Sequence, residues 1–123
     1  VSRLANVRLN NGQAIELPEP DWCVFQHHDG LHAEDIFHEG PETAFTVDAP
    51  NGRFELLGAS LTAYPFASTP AARVPHVTVD LGGGFGSFTP EGLRELAAGL
   101  VVHAGRLRDL ATVLERLRAE AGR

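Results

Sequence analysis

Lysine and methionine are absent from this 123-residue chain, and cysteine, tryptophan and tyrosine occur once each. Without lysine there is no ammonium group for a Walker-type phosphate loop or for Schiff-base chemistry. A single thiol cannot form an internal disulfide, so Cys23 is buried, reactive, metal-bound or engaged with another chain. No apolar run approaches the roughly 20 residues of a membrane span. No signal-peptide pattern opens the chain, and the expectation is a cytoplasmic protein without a membrane partner.

Positive charge is scarce where a nucleic acid would need it. Residues 1–88 carry four Arg against eleven Asp and Glu, and residues 89–123 carry six Arg against five, which together make the net charge of −6. Between Glu16 and Glu42 there are eight acids and no Arg. That stretch repels phosphate, whose binding depends on Lys and Arg, and attracts cations. Nucleic acid is therefore not expected as a partner. The length suits one domain, 1–123, with a β-rich part over 1–88 and a helix over 89–121.

The rare side chains are crowded together. The stretch WCVFQHHDGLHAEDIFHEG, residues 22–40, holds the only Trp, the only Cys and four of the six His. Zinc prefers thiolate and imidazole donors, four to a structural site. Cys23, His27, His28, His32 and His38 are the candidate ligands, with Asp35 as an alternative ligand or as a partner orienting a His ring. Two other readings remain open. Trp22 and Cys23 are core residues under solvated histidines, or the cluster is catalytic. The catalytic version is a three-ligand zinc hydrolase with Glu34 or Glu39 as base, or an enzyme with Cys23 as nucleophile. The crowded acids oppose a thiolate. A metal-stabilised binding or scaffolding domain, with zinc as the cofactor, is the leading expectation and the enzyme is the alternative.

Elsewhere the pattern is that of short strands. VRLNNGQAIEL is a hairpin signal around Asn10-Asn11-Gly12, and Pro50-Asn51-Gly52 turns a second hairpin. Gly58 marks a bulge or bend. VPHVTVDL reads as a further strand with His76 outward; ASTPAAR reads as a loop, and LGGGFGSF as a flexible turn joining strand to helix. The glycines lack the G-x-G-x-x-G spacing of a dinucleotide site.

From Thr89 onward the chain is helical. Thr89 is a suitable N-cap, Pro90 suits the first turn, and Glu91 and Glu95 oppose the positive helix end. Leu93, Leu96, Leu100, His103, Leu107, Leu110, Leu114, Leu117 and Ala121 step by three and four, a heptad seam. Its distal part, His103, Leu107, Leu110, Leu114 and Leu117, overhangs what a domain of this size can cover, which predicts a homodimer through the helix. The alternative is a break near Gly105 that folds the distal half back.

Taken in order, Trp22-Cys23 followed by His, Asp35-x-x-His38-x-Gly40, FELLGASLTAYP, VPHVTVDL and TPEGLRELAAGL resemble a family of small uncharacterised domains common in actinobacteria. The Arg-only, Met-free composition fits such a GC-rich genome. The resemblance implies that Cys23, one of His27 and His28, Asp35 and His38 form the shared constellation, in which His32 has no clear place. It implies no activity. The expected fold is α+β: an antiparallel sheet of about five short strands, with one long C-terminal helix packed across it.

Overall fold

A computed structural model of the chain describes residues 3–122. The chain falls into two compact units, Val1–Thr89 and Pro90–Arg123. The first is β-rich and the second is a helix, so the α+β class holds.

Two antiparallel strands, β1 (Arg3–Arg8) and β2 (Ala14–Glu19), open the β-rich unit as the expected hairpin. Gly12 takes φ of +84°, a conformation that favours glycine. Strand alternation puts Ile15, Leu17 and Glu19 on one face of β2, where Leu17 and Glu19 are buried. Val7 and Leu17 pack on Ile36, with Ala5, Leu9, Ile15 and Leu31 around them. Burying such side chains is worth roughly 1.5–3 kcal/mol each, so this small core fixes the hairpin to the loop that follows it.

The second sheet has five strands and the hairpin forms a sheet of its own, so seven strands in two sheets stand where one sheet of about five was expected. Its spine is β5 (Gly52–Ala63). Along one edge β5 pairs with β4 (Thr43–Ala49) and then, at its far end, with β3 (His38–Glu39). Its other edge pairs with β6 (His76–Asp80), which pairs with β7 (Phe85–Phe88). A bulge interrupts the β4–β5 ladder between Thr43 and Phe45. Leu57, at φ +55°, takes the left-handed residue there rather than the adjacent Gly58. The missing side chain of Gly58 leaves room for Glu42, whose carboxylate would lie 3.2 Å from a Cβ.

Two segments depart from the sequence reading. ASTPAAR contains one helical turn, α1 (Pro70–Arg73). LGGGFGSF does not run directly into the helix. Its glycines make a tight turn, with Leu81 N donating to Gly84 O at 2.8 Å and Gly82 N to Asp80 Oδ1 at 2.9 Å. Phe85–Phe88 then returns as β7. Four residues with a glycine among them are too short to display a readable alternation.

The long helix, α2 (Pro90–Ala121), runs 32 residues without interruption through Gly99 and Gly105, so there is no break at Gly105. At about 1.5 Å per residue it is about 48 Å long. Glu91 lies in its first turn and Arg118 in its last, each matching the helix dipole. Among the described residues no helix is long and apolar enough to cross a membrane.

One glycine joins the loop to the sheet. Gly40 is buried, its N–H donates to Leu61 O at 2.9 Å, and a Cβ there would lie 3.3 Å from Trp22 O and 3.4 Å from Leu61 Cβ. Backbone on one side and a strand on the other leave little room to yield. Gly40→Ala is expected to destabilise the fold by about 1–3 kcal/mol, measured by urea unfolding; an unchanged midpoint would contradict this close packing.

Candidate metal centre

The loop between β2 and β3 is held at both ends. Cys23 N donates to Pro20 O at 3.0 Å, turning the chain just past β2, and Val24 N donates to Glu39 O at 2.9 Å, tying the turn to β3. Between them the side chains alternate. Ile36 points into the hairpin core and His38 into a second buried space, while Phe37 faces away, stacked between Phe25 at 4.5 Å and Tyr64 at 5.6 Å. This aromatic row and the hairpin core trap the loop from two sides.

In that second space four side chains converge: Glu19, Cys23, His27 and His38. Each offers one ligand atom, and these atoms all lie within 4.8 Å of one another. Cys23, His38 and Glu19 are 1%, 5% and 7% exposed. Cys23 Sγ lies 3.7 Å from Glu19 Oε1 and 4.0 Å from His27 Nε2. Tetrahedral zinc, with bonds of about 2.0–2.3 Å, holds its donors about 3.3–3.6 Å apart. The sulfur contacts therefore need to close by only a few tenths of an ångström. His27 Nε2 is hydrogen-bonded to Glu19 Oε1, and an ion entering the group would part them.

The second carboxylate oxygen is also engaged. Arg3 Nη2 stands 3.3 Å from Glu19 Oε2 and donates to Cys23 O at 2.9 Å. Arg3 is largely exposed, so its pairing adds orientation more than stability. The imidazole of His38 packs edge-on to Trp22, with ring centroids 6.1 Å apart, and to His27 at 5.5 Å. Its Nδ1 is buried and has no hydrogen-bond partner among the described residues. An unmet buried polar atom costs about 1–3 kcal/mol, and a cation accepting a ring lone pair is one way to relieve it.

A family model described as a domain of unknown function, DUF6907, matches residues 5–116. The chain belongs to the DUF6907 family. All four converging residues lie inside the matched span of this DUF6907 domain, as does most of α2. Neither the curated proteins nor the solved structures yield a match.

Of the candidates read from the sequence, the DUF6907 fold gathers Cys23, His27 and His38. It leaves His28, His32 and Asp35 outside the group, all three exposed. His28 rests edge-on against Phe25 at 5.7 Å, and His32 Nδ1 meets Asn10 Nδ2 at 3.0 Å. Asp35 sits in the 3-10 turn Ala33–Asp35, whose geometry directs Ile36 rather than Asp35 inward. His76 is half-buried at the start of β6, its Nδ1 2.9 Å from Val74 O. Glu19 was missed. Its signal was the strand parity of Ile15, Leu17 and Glu19, which puts a carboxylate on the inward face four residues before the cysteine.

Burial above all, and then the neighbouring His27, lower the pKa of His38, against an opposing pull from Glu19. The fold thus favours the neutral ring, while the unfolded chain takes up a proton near the ordinary value of about 6.5. The unfolded state binds more protons below that value, so stability is held above about pH 6.5 and falls as the pH drops through and below it. Chelator-treated protein is expected to lose melting temperature between pH 7 and pH 5, and His38→Gln to flatten that slope. A slope unaltered by the substitution would assign the effect to other groups.

Proposed function

We propose that this protein is a zinc-stabilised domain whose metal is structural, and that it acts as a scaffold through protein contacts rather than by catalysis. The observation that carries the reading is the burial of one thiol, two imidazoles and one carboxylate within reach of a single ion. A soft sulfur with two nitrogens selects zinc over magnesium or calcium, which take oxygen donors. Four protein donors complete a tetrahedron, whereas a catalytic zinc keeps a position open for water. Cys23, 1% exposed, is surrounded by three other donor groups, an arrangement that suits a thiol for coordination more than for attack on a substrate.

The ion would join Glu19 of the hairpin sheet to His38 of the five-stranded sheet, and its binding energy would become folding energy. The eight acids of residues 16–42 favour a dication there. One observation favours a second reading. A cleft of about 460 Å³ is lined in part by Glu19, Cys23 and His27. In a hydrolase, Glu19 would leave the ion and serve as base to a water entering from this cleft.

Elemental analysis of untagged protein separates these readings. About one zinc per chain is expected, and chelation should lower the melting temperature by about 10 °C or more. Cys23→Ser, His38→Ala and Glu19→Gln should each weaken zinc binding by more than the tenfold to hundredfold typical of changes outside the ligand set. His28→Ala, His32→Ala and Asp35→Asn should leave occupancy unchanged. Metal-free protein whose melting curve ignores chelator would refute the proposal; Glu19→Gln protein that keeps its zinc would favour the hydrolase.

A further inference from the structure

We infer that the distal half of α2 pairs antiparallel with the same segment of a second copy of this chain, Arg106 of each copy facing Glu120 of the other. This names a partner for the protein-contact role above, but it rests on the helix alone and its test is read separately from metal content.

Leu107, Leu110, Leu114 and Leu117 are 54%, 63%, 53% and 49% exposed, on a helix that is regular to Ala121. Four large apolar side chains at heptad spacing form the seam of a two-helix pair. Ala104, Ala111 and Arg118 border the seam on one side, and Arg106, Val113 and Glu120 border it on the other, with Glu120 also 3.9 Å from Arg116 one turn back. The two alanines allow close approach. Flanks that carry charge at different positions discriminate between the ways a partner can run.

Three antiparallel registers set the seam against itself in alternating layers. In the longest overlap, Leu93 meets Leu117 and Leu96 meets Leu114, but Arg106 then faces Arg106 and His103 is buried against Leu107. In the next, Leu100 meets Leu117 and His103 meets Leu114, while Arg106 faces Val113 and Glu120 faces Gly99. In the third, Leu107 meets Leu117, Leu110 meets Leu114, and His103 meets Ala121 at the end of the seam. There Arg106 faces Glu120 twice, Val113 faces Val113, and Ala111 faces Ala111. The third register alone pairs the opposite charges and leaves the imidazole where water reaches it, avoiding a buried polar ring. It also leaves Pro90–Val102 outside the pair.

In a parallel pair in register, Arg106 and Glu120 are fourteen residues, about 21 Å, apart along the axis. That exceeds the Debye length of about 8–10 Å at ordinary salt, so no coupling between the two survives. Charge exchange therefore reads the direction of pairing as well as its existence.

Sedimentation of the full chain at tens of micromolar provides the test, with near-ultraviolet dichroism of Trp22 reporting the fold of the β-rich unit. Wild type is expected to be a dimer and Leu110→Glu/Leu114→Glu a folded monomer. Arg106→Glu and Glu120→Arg alone should each weaken the dimer by about tenfold, since two attractive flanking pairs become repulsive. An equimolar mixture of these two variants should recover wild-type affinity, because each heterodimer restores both pairs. A wild-type monomer, or a dimer indifferent to the leucine substitutions, overturns the interface. A mixture no tighter than its components overturns the antiparallel register.

Discussion

Four ligand-grade side chains share one largely buried space, and both sheets of the β-rich unit contribute to it. Glu19 arrives from the end of β2, Cys23 and His27 from the turn behind it, and His38 from β3. The first belongs to the hairpin sheet and the last to the five-stranded sheet. Glu19 is held by His27 and Arg3, while His38 Nδ1 is buried with no hydrogen-bond partner among the described residues. An ion would satisfy all four together. The apolar cluster of Val7, Leu17 and Ile36 ties the hairpin sheet to the loop before β3.

This arrangement gives the neighbouring packing a purpose. Gly40 brings Trp22 close to β5, Trp22 presents its edge to His38, and the Phe25–Phe37–Tyr64 row covers the outer side of the loop. Each contact limits the positions that Cys23 and His38 can occupy. A metal site built from such preset positions loses less order on binding than one assembled from a free loop.

Much of the fold was legible because its signals are local. Asn-Gly turns at residues 11–12 and 51–52 named both hairpins, and the three-and-four spacing of leucines named α2. β7 was not legible: its four residues pair with β6 only because the glycine turn reverses the chain. The site was half legible. Composition pointed to residues 22–40, and Cys23, His27 and His38 do converge. Choosing among adjacent histidines is a three-dimensional matter, however: His27 and His28 both lie edge-on to Phe25, and His27 is the one that reaches Glu19 and Cys23. Glu19 lay outside the His-rich stretch, and only the strand parity of Leu17 and Glu19 would have brought it in.

One sulfur, two imidazoles and one carboxylate are proposed to bind a single ion. X-ray absorption at the zinc edge on the untagged, zinc-loaded protein measures that ligand set directly. The expected spectrum has one sulfur at about 2.3 Å and three nitrogen or oxygen neighbours at about 2.0–2.2 Å. A set of nearest neighbours without sulfur would contradict the four-donor site, as would a total of five or six neighbours.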